Sequence, residues 1–532
     1  MSGYNELYGD YLSFAREPEA SWRYIKLTKD EKWALYLSQR QNDLSEREKN
    51  ILKRLLAKLD KAETLTRRQT LQLAKLIADE ISTLQPMPSG DLLDKILADK
   101  RKEYLLKYGE MTECLDMDEV VFLAQSRINV LTADKDAKQL KRVAYLIPVY
   151  KEFNRLKKKK DEFTGENFLE VKTEQLSFLY ERCRNLSWDL YYVDDEPPSA
   201  KRRTIDVIKE QLQGDSFDET RSHIHCLGYE HFTEQIACYE DKNLSHLSPD
   251  EFAEQSVKGG IVQCALRYLA GIRKDGEDIA KADVIVMSDA DLSTNLGITG
   301  GVLSKTLTQE SDMAIGSRRM SGSVVAGKSS ERHLLSFGFN FLAHALLNVQ
   351  VSDTQAGCKA ITPEAVKKIH GRFHDLSMSF DVEIIRALQD IHCQVKSIPT
   401  YWRDSPYESQ SAGQSKNMLI GLAGIFKHIY SNESTTPTTK AEIISLADFA
   451  EMAEWLAKEP EFPAVMSLAK STKFNFLVEF SSEIYSILTP KTWRNFVNHF
   501  SLFLCELAHG QLNQQTVNLL FDDFQTLGFV NK

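Results

Sequence analysis

Alternation between strand-like and helix-like stretches limits what this chain can fold into. Residues 143–148, 188–193 and 284–288 are short apolar runs, and 222–227 is a weaker fourth. Between them, helical spacing is read at 166–184, 199–212 and 255–269, with a less regular insertion over 228–250. Such alternation predicts a largely parallel sheet with helices on both faces. The run Val284-Ile-Val-Met-Ser288 carries no charge, which suits a strand buried on both sides. It leads into Asp289-Ala290-Asp291. Ligands bind at the carboxyl ends of strands in open α/β sheets. Two hard oxygen ligands there suit Mg²⁺ or Mn²⁺ shared with substrate phosphates. Asp, Ser and Asn are also ordinary turn residues, so the tripeptide alone leaves both meanings open.

The composition narrows the class. A chain of 532 residues has room for roughly two to four domains. An apolar fraction of 42% is ordinary for a soluble protein. The formal net charge of -10 argues against a general nucleic-acid binder. The 8 cysteines are scattered without a Cys-x-x-Cys pair, which fits reduced cytosolic thiols better than disulfides or a zinc site. Residues 1–17 are polar and acidic, unlike a signal peptide. The longest run free of Asp, Glu, Lys and Arg lies between Arg332 and Asp353. It contains His333, Asn340, His344, Asn348 and Gln350, too polar for a membrane span and expected to be a mostly buried helix. The expected location is the cytoplasm, with peripheral membrane contact left open.

Three regions follow. Residues 1–138 read as a helical accessory domain, 139–430 as the catalytic domain and 440–532 as a helical C-terminal domain. Helical spacing begins near Leu44, where Ser45 and Glu48 can form a capping box, and returns at 66–83 and 118–131. Pro86, Pro88 and Gly90 break the pattern. Residues 431–439 are rich in Ser, Thr and Asn and read as a linker. Beyond it, 474–488 and 493–507 are aromatic-rich and amphipathic, with most aromatics expected in a core. The flanks suit homo-oligomerisation, acceptor binding or partner binding.

Several short motifs gather where the strands end. The first strand runs into Pro148-Val-Tyr150-Lys-Glu152, and the second is closed by Asp194-Asp195. Carboxylates there can accept hydrogen bonds from uracil or ribose. Lys258-Gly259-Gly260 lies near a helix start, where Lys can meet phosphate and glycine permits close backbone approach. Lys-Gly-Gly is equally common as a plain turn.

Taken together, this set resembles a family 2 glycosyltransferase of GT-A fold: three nucleotide loops followed by the Asp289-Ala290-Asp291 metal motif. Ile315-Gly-Ser-Arg318-Arg319, Ser352-Asp353-Thr-Gln355-Ala-Gly-Cys-Lys359, Phe380-Asp381-Val-Glu383 and Ile398-Pro-Thr-Tyr-Trp402-Arg403 resemble the dolichyl-phosphate β-glucosyltransferase-like branch. The likeness covers roughly residues 140–415. It implies an α/β, mostly parallel catalytic domain that moves a hexose from a sugar nucleotide. UDP-glucose is the first donor implied and GDP-mannose the second; the acceptor stays open. The family usually continues Gly-Ser after its second loop, whereas this chain has Glu196-Pro-Pro-Ser. The membrane helices of many relatives are absent, which weakens the case for a dolichol-type acceptor.

The implied roles follow the chemistry. A divalent cation neutralises a diphosphate leaving group, and the sugar gains cationic character. Asp291 is the direct metal ligand, with Asp289 on metal or ribose. Inverting transfer to a hydroxyl needs a base on the opposite face, Asp381 ahead of Glu383, though both also suit a helix N-terminus. Arg318 would hold a phosphate or its loop, Asp353, Gln355 and Lys359 the sugar or acceptor, and Trp402 and Arg403 the acceptor side. Two other functions would also use an acidic strand end. A haloacid-dehalogenase-like phosphatase would use an aspartyl nucleophile, but a second acidic strand end is missing and the nucleotide loops go unexplained. A non-catalytic sugar-nucleotide-binding scaffold would not need the downstream carboxylates.

Overall fold

The computed structural model describes residues 67–403, with breaks around 85–89, 109–113, 159–163, 215–216 and 274–279 and over most of 327–348, and scattered positions beyond. The helical expectations at Leu44, 474–488 and most of 493–507, the linker 431–439 and most of the run 333–352 lie outside the described residues.

β1 (Lys141–Val149) organises two cores. Its alternate residues Val143, Tyr145 and Ile147 enter one core, while Ala144 and Leu146 enter the other, as the two-residue period of a strand dictates. β2 (Leu186–Asp194) and β3 (Ile224–Gly228) lie on one side of it, and β4 (Val284–Ser288) on the other. Beyond β4 come β7 (Cys358–Ile361), β5 (Met313–Ser317) and β8 (Val395–Pro399), completing the order β3-β2-β1-β4-β7-β5-β8. β6 (Val324–Ala326) and β9 (Tyr401–Arg403) form a small separate parallel pair.

The main sheet is mostly parallel, as the alternation predicted, with one exception. β7 runs antiparallel to both β4 and β5. Its first residues therefore lie at the carboxyl end of β4, where Met287 pairs with Lys359 and Ser288 with Cys358. A return strand can thus bring a downstream lysine to the acidic end of β4.

One face is covered by α1 (Arg67–Ser82), α2 (Gly90–Tyr108), α3 (Cys114–Asp136), α4 (Phe168–Tyr180), α5 (Thr204–Gln211) and α8 (Gly300–Leu307). Ala74, Ile77, Ala78 and Ile81 of α1 and Leu123, Ala124 and Ile128 of α3 recur at helical spacing and share a core with Val143 and Tyr145. The other face carries α6 (Pro249–Gln255), α7 (Gly259–Ala270), α9 (Pro363–Ile369) and α10 (Phe380–Asp390). α6 starts sharply: Ser248 and Glu251 form a capping box ahead of Pro249. The insertion at 228–250 holds two single-turn helices, Thr233–Ile236 and Lys242–Ser245.

α2 begins at Gly90, inside the expected break. Gly90 takes φ +55°, a left-handed value that suits glycine, and Asp91 sits in the first turn beside the positive end of the helix. The breaker residues mark a start as much as a stop. α3 lies against the loop that follows β4: Gly300 N donates to Ser126 Oγ at 2.7 Å, and a Cβ at Gly300 would come 2.1 Å from Ser126 O. No helix among the described residues is long and apolar enough to cross a membrane.

Candidate active site

The end of β2 is a knot of satisfied acids. Asp194 is wholly buried; its carboxylate accepts from Glu196 N at 3.0 Å and Ile205 N at 2.9 Å. Burial nevertheless pushes its pKa up to about 7, with those backbone bonds pulling the other way. Asp195 accepts from Tyr229 Oη at 2.5 Å, Ser256 Oγ at 2.8 Å and Lys258 N at 2.6 Å. Glu196, which stands where the family usually has glycine, accepts from Thr204 N at 3.1 Å, Thr204 Oγ1 at 3.2 Å and Lys151 N at 3.3 Å. It ties the loop after β1 to the start of α5.

The loop after β1 sits over this knot. Pro148 pairs with Val193 within the sheet, and Asp195 N donates to Val149 O at 3.0 Å. Tyr150 is exposed, with the Lys151 ammonium 4.8 Å from its ring centre. Glu152 N donates to Thr204 Oγ1 at 3.1 Å, and its carboxylate pairs with Arg155 at 3.6 Å. Burial raises the Glu152 pKa; Arg155 opposes and Asp291 adds to the rise.

The end of β4 is held differently. Lys258 Nζ lies 2.5 Å from Asp289 Oδ1. Burial disfavours the Asp289 carboxylate, yet Lys258 above all, with Lys359 and Lys172, holds its pKa below the usual value. Asp291, 5% exposed, accepts from Ser293 N at 3.1 Å through Oδ1. Ala290 between them is buried. Gly357 leaves room for the pair, since a Cβ there would come 2.6 Å from Asp289 Oδ2. Three buried polar atoms in this neighbourhood have no hydrogen-bond partner: Lys172 Nζ, Ser288 Oγ and Ser293 Oγ. Lys172 is pulled down to about 8 by burial, opposed by Asp291 first and then Asp289.

Lys258 joins the two strand ends. Its backbone takes φ +69°, which lets its N–H bind Asp195 while its side chain reaches Asp289. The glycine after it serves the chain's own packing: a Cβ at Gly259 would come 2.4 Å from Ser377 O.

The downstream motifs divide in two. Lys359, 3% exposed, donates to Ala356 O at 2.5 Å and pairs with Asp381 Oδ1 at 3.1 Å. Burial raises the Asp381 pKa, while Lys359 and Lys258 oppose the rise. Asp381 therefore belongs to the same charge cluster as Asp289. Glu383, two residues on, faces elsewhere. It accepts from His374 N at 3.0 Å, Asp375 N at 3.1 Å and Gln263 Nε2 at 3.1 Å. Burial and Asp375 push its pKa up to about 8.

The second group is an arginine clamp. Arg318 binds buried Asp353 through Nε at 2.8 Å and Nη2 at 2.9 Å, its own N–H adds a bond at 3.0 Å, and Nη2 also reaches Gln355 O at 3.0 Å. The pairing holds Asp353 far below the usual carboxylate range despite its burial. The guanidinium stands 5.4 Å from the ring centre of Trp402, which is buried. Arg403 is exposed and donates to Tyr401 Oη at 2.9 Å and 3.2 Å. Its guanidinium lies 3.7 Å from Glu119 of α3, which also accepts from Asn295 Nδ2 at 2.9 Å.

The fit of a cation rests on the donor set. Asp289 and Asp291 supply hard oxygens at one strand end, beside orphaned Ser288 and Ser293 hydroxyls. Among the described residues no group of three or more His, Cys, Asp or Glu is arranged to hold a metal alone. The set suits Mg²⁺ or Mn²⁺ whose shell is completed by phosphate oxygens. Sequence reasoning missed Glu196, Tyr229, Glu119 and Lys172. Lys172 left one trace: a lone charge on the apolar stripe of Phe168, Leu169, Leu176 and Leu179, all buried.

No protein-family model matches the chain. It is 28% identical over 188 residues to an uncharacterized protein of Methanocaldococcus jannaschii, covering 34% of this chain and 76% of that one. It is 25% identical over 204 residues to glycosyltransferase AglD of Haloferax volcanii, covering 38% of this chain and 30% of that one. It is 30% identical over 131 residues to the dolichyl-phosphate β-glucosyltransferase of Homo sapiens, covering 24% of this chain and 40% of that one. The chain thus spans less than half the length of the two named enzymes. With the mostly parallel sheet and the ordered motifs, these likenesses support a family 2 glycosyltransferase of GT-A fold, near the dolichyl-phosphate β-glucosyltransferase branch.

Proposed function

We propose that this chain is a metal-dependent hexosyltransferase that takes glucose from UDP-glucose and transfers it with inversion, GDP-mannose being the next donor to test. The observation that carries this is Lys258, whose backbone N–H binds Asp195 and whose ammonium binds Asp289. The end of β2 and the end of β4 therefore meet at one rim, where a nucleotide and its diphosphate can lie side by side. Asp291 and Asp289 hold the cation there. When bound, that cation would offset the negative charge that the diphosphate gains as it leaves. Pro148, Tyr150 and Glu152 border the nucleotide side, and Asp194 and Asp195 fix the loop beneath it. Lys258, whose ammonium already stands at Asp289, is placed to meet a phosphate.

Asp381 takes the proton of an acceptor hydroxyl. Its contact with Lys359 and its electrostatic link to Lys258 and Asp289 support it over Glu383, which is tied to backbone at 374–375. A phosphate acceptor would need no base, and Asp381 would then only orient it. Arg318 keeps the Asp353–Gln355 loop in place, and Trp402 and Arg403 line the acceptor side. The flanking helical regions serve acceptor binding, partner binding or self-association.

Calorimetry of the full chain against sugar nucleotides, with and without Mn²⁺, tests this. One donor is expected to bind more tightly with metal than without it, and Asp291→Ala to weaken the metal-supported binding at least tenfold, a loss of about 1.4 kcal/mol or more. Metal-dependent turnover that survives Asp291→Ala would put the site elsewhere.

A further inference from the structure

Three lysines surround the Asp289–Asp291 motif, and only two of them are accounted for. Lys258 binds Asp289, and Lys359 binds Ala356 O and Asp381. Lys172 is 0% exposed and its Nζ has no hydrogen-bond partner. An ammonium carries three donors, and burying them unmet is costly. Phe168, Leu169 and Leu176, one turn to either side of it on α4, are apolar and buried, so a leucine or methionine would pack there without that cost. Stability does not explain the charge.

The register of α4 shows what the charge faces. Gln175, one turn along, accepts from Leu296 N at 2.9 Å. Phe178, one further turn along, would meet a Cβ on Gly297 at 3.4 Å. Gln175 and Phe178 thus set this part of α4 against Leu296 and Gly297 of the loop that follows Asp291, and Lys172 lies one turn before Gln175 on the same helix. Asp291 is the strongest favourable charge acting on Lys172, followed by Asp289 and Glu166.

We propose that Lys172 is a positioning residue: a fixed buried countercharge to Asp289 and Asp291 that disfavours a bare cation and favours a diphosphate. This rests on the transferase reading above. A buried positive charge repels free metal but attracts phosphate, so the site prefers metal and diphosphate together over metal alone. The ammonium need not touch substrate to act in this way, because Coulomb forces reach through a poorly polarisable interior.

The test is calorimetry on the full-length Lys172→Met, Lys172→Gln and Lys172→Arg variants, with Mn²⁺ alone and with metal-free UDP as separate probes. The two neutral variants are expected to bind Mn²⁺ roughly tenfold tighter and UDP roughly tenfold weaker, while Lys172→Arg stays near wild type. Melting temperature should be unchanged or raised in Lys172→Met. Opposite shifts are the signature, since damage to the fold would weaken both ligands. Affinities that fall together, or that stay put in both neutral variants, overturn the inference. A wild-type chain that binds neither probe overturns the transferase reading and this inference with it; a wild type that binds both, with unmoved variants, overturns this inference alone.

Discussion

β2 and β4 each end in a pair of acids, and Asp289 of the second pair is held in the opposite way to both acids of the first. Asp194 and Asp195 are saturated by backbone N–H groups and hydroxyls. Asp289 is held by an ammonium on a flexible stem. Backbone donors cannot leave without unfolding the loop, whereas a lysine can swing to another anion. A carboxylate with both oxygens taken by backbone and hydroxyl donors therefore serves architecture, and one held by lysine, or bonded through a single oxygen as Asp291 is, can take a ligand. Asp381, paired with Lys359, belongs with the second kind, and Glu383 with the first.

Three substitutions would break or sharpen this contrast. The largest effect is expected from Asp381→Asn, with kcat lowered roughly a hundredfold or more and donor affinity little changed, as steady-state kinetics and calorimetry would record. An unaltered kcat would move Asp381 out of the exchangeable set. Next comes Asp194→Ala, which strands the N–H groups of Glu196 and Ile205. Urea unfolding should show a loss of about 1–3 kcal/mol, while the protein that remains folded binds donor nearly as before. A selective loss of donor binding would instead give Asp194 a direct role. The smallest effect concerns Glu383, whose pKa is pushed up to about 8 in the folded chain. The folded state then holds that proton to higher pH than the unfolded chain does. Its contribution is fully present below the unfolded carboxylate range and is lost as pH rises through about 8. Glu383→Gln should flatten this decline, by at most about 1.4 kcal/mol per pH unit for one proton. Urea midpoints at pH 5, 7 and 9 would reveal it, and an equal slope in both proteins would refute it.

Sequence patterning exposed the strands that carry the rim, because β1, β2 and β4 are long enough in Val, Ile, Leu and Tyr to stand out. The motifs at their ends were legible for the same reason: a charge directly after an apolar run is conspicuous. β7 was not, being four residues long with a buried lysine inside it, and pattern alone does not give a strand its direction. The separate fates of Asp381 and Glu383 depend on which loop each meets, and that is set by the packing of 374–377 against α7. Gly90 looked like an ending and proved a beginning, since a residue that breaks one helix also frees the first turn of the next.

The antiparallel strand has a consequence for the order of assembly. Within the sheet, β7 stands between β4 and β5 and is made after both. As the chain leaves the ribosome, residues 141–288 can already pair among themselves, while β5 must wait for residue 361 before it finds its place. The acidic rim is thus framed before the lysine that will meet Asp381 has been made.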